Sequence, residues 1–563
     1  MNESPATPPH GGALAVAAAH GHGVTTMFTL SGGHVFPLYD GAVKADPPMR
    51  LLDVRHEQTA VFAAEATARL TRTPGLAVLT AGPGVTNGVS AITTAHFNGS
   101  PVVVLAGRAP DYRWGSGSLQ EINHPQLVAP VTKRAWTEHD TKRIAGAVDE
   151  AFRLAGTRHR GPVFLDISLE ALFGQDDSGA AGAHGAGGAG GVDGTGGAGG
   201  ADGWLDAGAV DRIAELLAGA RQPVLVLGSD VWLDGAEDEA RLAAEELRLP
   251  VIANGQGRGI LAAGHELLVT RARSAAFRDA DLVIVVGAPL DFRLGYGVFG
   301  GRDGTPPAQV VHVADAEEQI ARHCPLAGSA AGSLAAFFRQ LANAGTARAA
   351  SEWLAGLQEA ARAAVHDDQT LLSTAAKPIH PMRVYGELLR VLADDAVVIG
   401  DGGDFVSYAG KYVEPRRPGG WLDPGPYGCL GTGLGYAIAA RIARPSSQVV
   451  LLLGDGAAGF SLMDVDTLVR HKLPVVMVCG NNGIWGLEKH PMQALYGYDV
   501  AAELQPMCRY DEVVRALGGA GELVTEPGEI GPALRRAFEA GVPYLVNVIT
   551  DPAIAYPRST TGV

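Results

Sequence analysis

The sequence predicts an α/β protein made of three doubly wound parallel-sheet domains. Short apolar runs rich in Val, Ile and Leu recur along it, at residues 161–167, 223–228, 250–253, 281–287, 449–453 and 474–479. Strands buried on both faces of a parallel sheet read in this way. The runs alternate with Ala-rich helical stretches, as βαβ units do. A hydrophobic content of 47% with only 6% aromatics suits α/β layers rather than an all-β or disordered chain. The 563 residues exceed what one core sustains and divide into three domains of ordinary size.

Composition changes place the boundaries. Residues 1–173 form the first block and close on the strand-like run 161–167. Residues 174–203 are almost wholly Gly, Ala and Asp, which bury nothing, and read as a flexible linker. The GxGxxG match from Gly185 to Gly190 lies inside it, with no strand before and no helix after, and is a low-complexity coincidence. Residues 204–345 form a middle block with its own strands. A connector, 346–378, is helical over 351–366 and leads to the third block, 379–563.

Several function classes are disfavoured. A formal charge of −16 argues against a nucleic-acid or anionic-membrane surface. Cys324, Cys429, Cys479 and Cys508 are scattered and indicate neither a disulfide framework nor a zinc site. The N-terminus lacks signal-peptide character, and no apolar run spans a bilayer. A cytoplasmic protein is expected.

The chemistry is concentrated in the third block. Gly454-Asp455-Gly456 follows the run 449–453, and twenty-four residues later Asn481-Asn482 follows the run 474–479; a helix is expected over 461–472. Asp455 therefore stands at the carboxyl end of a strand, where open α/β sheets bind ligands, and the glycines admit a phosphate closely. A carboxylate, an amide oxygen and a main-chain carbonyl suit magnesium, a hard cation that shares its shell with phosphates.

This arrangement resembles the diphosphate-binding motif of thiamine diphosphate (ThDP) enzymes. The resemblance implies Asp455 and Asn482 as side-chain ligands of Mg2+, the Ile484 carbonyl as the backbone ligand, and diphosphate contacts at Gly454, Gly456 and Ala457. It also implies a glutamate near the N-terminus that drives proton loss from the cofactor through its aminopyrimidine ring. Glu57, opening an Ala-rich helix after Leu51-Leu52, matches that position; taken alone it is an ordinary helix-start carboxylate. The turn 80–87 follows at the family's spacing, with cofactor contacts implied at Gly32, Gly33, Pro83 and Asn87. Leu430 matches the apolar wedge that keeps the cofactor bent. In the family the two cofactor ends are held by different subunits, which implies a homodimer or homotetramer.

The resemblance covers nearly the whole chain and points to the acetolactate synthase-like branch, closest to 2-hydroxyacyl-CoA lyase and oxalyl-CoA decarboxylase. Arg273-Ser274 resembles an element of the acyl-CoA-using members and implies ADP or CoA in the middle domain; it also reads as a plain helix start. Glu488, six residues past Asn482, matches a catalytic glutamate of pyruvate-decarboxylase-like enzymes, and partial burial would raise its pKa for proton transfer. Gln120 matches a residue facing the substrate side, and His34 can bond a substrate hydroxyl or carbonyl. Arg558 stands in a tail that closes over CoA in acyl-CoA members. The segment 400–405 departs from the Glu-Gly-Ala-Asn form of oxalyl-CoA decarboxylases, which weakens oxalyl-CoA as substrate. The implied activity is cleavage of a 2-hydroxyacyl-CoA to formyl-CoA and an aldehyde or ketone, or the reverse. The alternatives are condensation of 2-oxo acids after decarboxylation, as in acetolactate synthases, and a non-catalytic ThDP-binding regulatory protein.

Overall fold

The computed structural model describes residues 8–176, 205–301, 306–344 and 352–557. Arg558 and the stretch from Gly185 to Gly190 lie outside the described residues. The chain forms two compact units. One contains the described residues up to 176 together with Leu434–Ala443 and Met463–Lys472; the other contains the rest. Among the described residues no helix is long and apolar enough to cross a membrane.

Three sheets carry the fold, and every pairing between their strands is parallel. The first contains β1 (Thr26–Thr29), β2 (Arg50–Asp53), β3 (Gly75–Leu79), β4 (Val102–Arg108), β5 (Arg134–Glu138) and β6 (Val163–Ser168), in the order β2-β1-β3-β4-β6-β5. The second contains β7 (Pro223–Leu227), β8 (Val251–Ala253), β9 (Leu282–Val286), β10 (Gln309–Ala314) and β11 (Gly328–Ala331), in the order β11-β10-β9-β7-β8. The third contains β12 (Val397–Asp401), β13 (Trp421–Leu422), β14 (Val449–Gly454), β15 (Val476–Asn481), β16 (Ala520–Val524) and β17 (Tyr544–Ile549), in the order β13-β12-β14-β15-β17-β16. Central strands such as β3, β4, β7 and β9 are buried at every residue, which is why their sequences are continuous apolar runs rather than alternating ones.

In the first unit, the helix Glu57–Thr71 is buried along most of its length. Its alanines let it lie close to the sheet: a Cβ on Gly75 would sit 1.9 Å from the Ala64 carbonyl oxygen. Two acidic side chains fix it. Asp464 accepts the Arg55 N–H at 2.8 Å and the Thr59 hydroxyl at 2.7 Å, bracketing Glu57 at the helix start. Glu65, wholly buried, accepts from Asn98 Nδ2 at 2.7 Å, Tyr436 Oη at 2.8 Å and Ser100 Oγ at 3.3 Å, with Arg69 Nη1 3.7 Å away. Burial pushes the Glu65 carboxyl above its ordinary range, and the Arg69 charge and these bonds pull against that shift.

In the second unit, Arg271 gathers three segments. Its guanidinium donates to the Lys411 carbonyl at 3.0 Å and the Ala364 carbonyl at 3.2 Å, and pairs with Asp368, which also holds Lys411 Nζ at 3.1 Å. These bonds anchor the helix Gly403–Tyr412, whose first turn lines the site described below.

Two expectations are corrected here. The helix placed over 461–472 begins at Asp455 and runs in pieces: Asp455–Ser461, a 3₁₀ turn Leu462–Asp464, then Val465–Arg470. Gly454-Asp455-Gly456 reads as a turn, yet a carboxylate at a helix start is favoured by the helix dipole, and here it starts the helix. The connector helix spans Glu352–Leu372 rather than ending at 366.

Tyr436→Phe should keep the ring's packing but remove one donor from the buried Glu65. The expected loss is about 1–3 kcal/mol, read as a lower midpoint in urea unfolding monitored by circular dichroism. An unchanged midpoint would show that Glu65 does not depend on that hydroxyl.

Candidate functional site

A parallel sheet opens a crevice where two adjacent strands send their crossovers to opposite sides. In the first sheet that point lies between β1 and β3. The segment after β1 carries Gly32, Gly33 and His34, and the segment after β3 carries Thr80, Gly82 and Pro83. They meet: His34 Nδ1 is 3.3 Å from Thr80 Oγ1, and a Cβ on Gly32 would lie 2.2 Å from the Thr80 Cβ. Burial, then the neighbouring His124, holds the His34 pKa below its usual value. Gly82 has φ +62°, a left-handed conformation open to glycine, and Pro83 opens the helix Pro83–Phe97. Gln120, itself at φ +63°, lies against Gly82, where an added Cβ would be 2.7 Å from the Gln120 Cβ. Glu57 is 6% exposed, and Asn87 Nδ2 donates to its Oε2 at 3.0 Å. The first unit thus carries Gly32, Gly33, His34 and Gln120 on segments between its elements, and Glu57, Pro83 and Asn87 in the opening turns of two helices that follow its strands.

The third sheet has its switch point between β12 and β14. Asp401 closes β12, is wholly buried, and accepts the Gly431 and Gly433 N–H groups at 3.0 and 2.9 Å. It thereby fixes the segment carrying Leu430, whose side chain lies over Gly402: a Cβ there would be 2.1 Å from Leu430 Cδ2. Asp455 follows β14 and is 3% exposed. Its carboxylate accepts from the Gly483 N–H at 2.7 Å and the Gly456 N–H at 3.1 Å. Asn482, just beyond β15, donates to Asp404 Oδ2 at 3.3 Å, while its Oδ1 accepts the Ile484 N–H at 3.2 Å. Burial, and Asp404's negative charge, push the Asp455 pKa up to about 6; Asp404 is raised as well, chiefly by burial.

These donors fit a hard divalent cation. Two buried carboxylates, an amide oxygen and adjacent main chain form an oxygen-only set, and carboxylates whose burial disfavours their charge gain from a cation beside them. Gly454, Gly456 and Ala457 stand where β14 passes into the helix Asp455–Ser461, and a helix N-terminus suits phosphate, although the Gly456 N–H is itself bonded to Asp455 Oδ1. Asp455, Asn482 and Ile484 are the residues that can hold Mg2+, and Leu430 offers an apolar face to a ring. Asp401 and Asp404 stood out in the sequence only as part of a departure from a family pattern, yet a signal for both was present: Asp401 closes an apolar strand and Asp404 stands in the first turn of the helix that follows it.

Other expectations fare differently. Glu488 lies in the first turn of the helix Gly486–Tyr496 and is exposed in the single chain, where partial burial was expected, because a first-turn side chain on a helix packed by its other face points outward. Its neighbour Lys489 pairs with Glu503, with Asp499 at 3.9 Å. Arg273 opens the helix Arg273–Asp279, but its guanidinium donates to the Arg293 carbonyl and lies 4.7 Å above the Phe277 ring. Burial, with Arg258 and Arg293 nearby, pushes its pKa down to about 10. Ser274 is exposed, and the helix has no side-chain cap. The second sheet's switch point, between β7 and β9, is bridged by main chain: Gly228 N–H donates to the Val286 carbonyl at 2.8 Å and Asp230 N–H to Gly287 at 3.0 Å.

Comparison with known proteins agrees with this layout. Three thiamine pyrophosphate enzyme profiles match in series: the N-terminal TPP binding domain over residues 9–127, the central domain over 210–341 and the C-terminal TPP binding domain over 401–548. The chain is 49% identical to a probable acetolactate synthase of Mycobacterium bovis and to the acetolactate synthase large subunit IlvG of Mycobacterium tuberculosis, covering 99% of this chain and 98% of each relative. It is 33% identical to 2-hydroxyacyl-CoA lyase 2 of Homo sapiens, covering 96% of this chain and 90% of that protein.

Asp401 gives the half-site a pH signature. Burial raises its pKa from 3.8 to about 6 against the bonds from Gly433 and Gly431. A carboxyl raised on folding contributes stability that is complete below its unfolded pKa and is lost as pH rises through the folded value. The melting-temperature difference between wild type and Asp401→Asn should therefore shrink from pH 4 to pH 7 in scanning calorimetry. A difference constant across that window would refute the assignment.

Proposed function

Because this chain belongs to the thiamine pyrophosphate-dependent enzymes, in their acetolactate synthase family, we infer that it joins 2-oxo acids: one loses its carboxylate as CO2 and the remaining acyl unit forms a bond to the carbonyl carbon of a second. The observation that carries this reading is identity of 49% along 99% of the chain to relatives named acetolactate synthases. The engagement of Arg273 by Arg293 and Phe277 favours it over an acyl-CoA substrate, whose nucleotide would need that guanidinium.

ThDP, when bound, supplies a thiazolium carbon that adds to carbonyls and delocalises the resulting negative charge. The chain's own residues do the rest. Asp455, Asn482 and the Ile484 carbonyl would hold Mg2+, and the Gly454-to-Ala457 segment would receive the diphosphate. Leu430 would support the cofactor by apolar contact alone. Glu57, buried and held by Asn87, exchanges a proton with the aminopyrimidine ring. Gln120 and His34 orient the substrate's oxygen atoms, and Glu488 delivers a proton from the solvent side to the oxygen of the attacked carbonyl, which becomes the product hydroxyl. The pyrimidine and diphosphate half-sites belong to different subunits of a homodimer or homotetramer.

A second reading, cleavage of a 2-hydroxyacyl-CoA to formyl-CoA and an aldehyde or ketone, is favoured by identity of 33% over 96% of the chain to 2-hydroxyacyl-CoA lyase 2. Mass-spectrometric product analysis separates the two. Purified protein with ThDP and Mg2+ should release acetolactate and CO2 from pyruvate and leave a 2-hydroxyacyl-CoA intact. Formyl-CoA with no acetolactate would replace the first reading by the second. Glu57→Gln should retain ThDP, measured by tryptophan quenching, while turnover falls by about 10²–10⁴; full turnover would remove Glu57 from the mechanism.

A further inference from the structure

The geometry points to His124 as a positioning residue for Gln120, acting through Gly82, with Asp166 fixing its tautomer. This rests on the reading above that Gln120 faces the substrate side of the cofactor.

The bonds form one line. His124 Nδ1 is 3.0 Å from Asp166 Oδ2, and the Gly82 N–H donates to His124 Nε2 at 2.8 Å. Both side chains are wholly buried. A neutral imidazole has one donor and one acceptor nitrogen. Asp166, an acceptor, receives a hydrogen bond from Nδ1–H, which leaves the Nε2 lone pair for the Gly82 N–H. The tautomer is dictated by partners on both sides.

What this line holds is an uncommon backbone arrangement. Gly82 and Gln120 both have positive φ, +62° and +63°, and a left-handed residue other than glycine persists only where its surroundings impose it. They are in contact: a Cβ on Gly82 would lie 3.0 Å from both the Cα and the carbonyl oxygen of Gln120. Gly82 therefore forms the surface against which Gln120 is set, and His124 supplies the bond that keeps Gly82 in place.

Asp166 also ties the other end of the same loop. Arg108, the last residue of β4, has its Nη1 3.7 Å from Asp166 Oδ2, and its guanidinium stacks 3.5 Å from the Trp114 ring. The loop that carries Gln120 leaves from Arg108 and ends at His124, so both ends meet one carboxylate on β6. The Gly82 segment leads into the helix whose Asn87 bonds Glu57. Displacing His124 alone should loosen Gln120 without releasing Glu57.

The experiment compares wild type, His124→Leu, His124→Gln and Gln120→Ala as ThDP–Mg2+ holoenzymes. Amide exchange is measured over residues 80–87 and 109–123, hydrogen–deuterium exchange at cofactor C2 by quenched NMR, and turnover on both pyruvate and a 2-hydroxyacyl-CoA. His124→Leu should speed amide exchange in both segments and lower kcat by about tenfold to a hundredfold, the scale of a small misplacement, with C2 exchange unchanged. His124→Gln, whose amide oxygen can accept the Gly82 N–H, should recover most of both losses. Unchanged amide exchange in His124→Leu overturns the proposal, as does a parallel fall in C2 exchange and kcat. If His124→Leu does not fold, Asp166→Asn gives the same readouts with volume preserved. Full turnover by Gln120→Ala would refute the role of Gln120, while the amide exchange still decides whether His124 holds the loop.

Discussion

A parallel sheet cannot close over the carboxyl ends of its strands where neighbouring crossovers leave in opposite directions, and the chemistry of this protein depends on that opening. The first sheet opens between β1 and β3, the third between β12 and β14. Gln120 and His34 lie on the segments that follow strands of the first, with Glu57's partner Asn87 in the helix after β3; Asp455, Asn482 and Leu430 follow or pack beside strands of the third. In the middle sheet the equivalent point is bridged by main-chain bonds from Gly228 and Asp230. Three sheets of one design therefore differ in what their crevices offer.

Buried carboxylates turn these openings into defined sites. Asp401, Asp455, Asp166 and Glu65 are all buried, a costly state for a charge unless donors converge on it. Main-chain N–H groups serve Asp401 and Asp455, an imidazole serves Asp166, and side-chain donors serve Glu65. Asp401, Asp455 and Asp166 thereby fix segments that apolar contact alone would not orient, the Leu430 turn, the Gly483 turn and the Gln120 loop, and Glu65 adds polar bonds to the packing of the Glu57 helix. Packing sets where helices and strands lie; the acids set where the loops point.

Asp455 and Asp404 differ from the others. Their burial raises both pKa values; main-chain N–H groups and the Asn482 amide bond them, and His490 pulls Asp404 the other way. Such a cluster is better matched to a cation than to protein donors alone, which is the physical reason a hard divalent ion is proposed there.

Much was legible in the sequence. Unbroken apolar runs announced doubly buried strands, and strands of that kind require parallel sheets with helices on both faces. Gly454-Asp455-Gly456 and Asn481-Asn482 could be placed at adjacent strand ends because spacing along a βαβ unit translates directly into neighbourhood. Glu57 opened its helix as its flanking residues indicated. By itself, then, the sequence determined the fold class and the residues at strand ends, because these follow from local periodicity, while the family was legible only through the resemblance its motifs carry. The tertiary structure alone decided the rest: that Glu488 lies in solvent, that Arg273 is taken up by Arg293 and Phe277, and that Asp404 joins Asp455. It also joined His124 to Gly82 and Asp166, residues forty-two positions away on either side. Burial and pairing between distant segments depend on what the folded chain packs against them, and no local pattern encodes that.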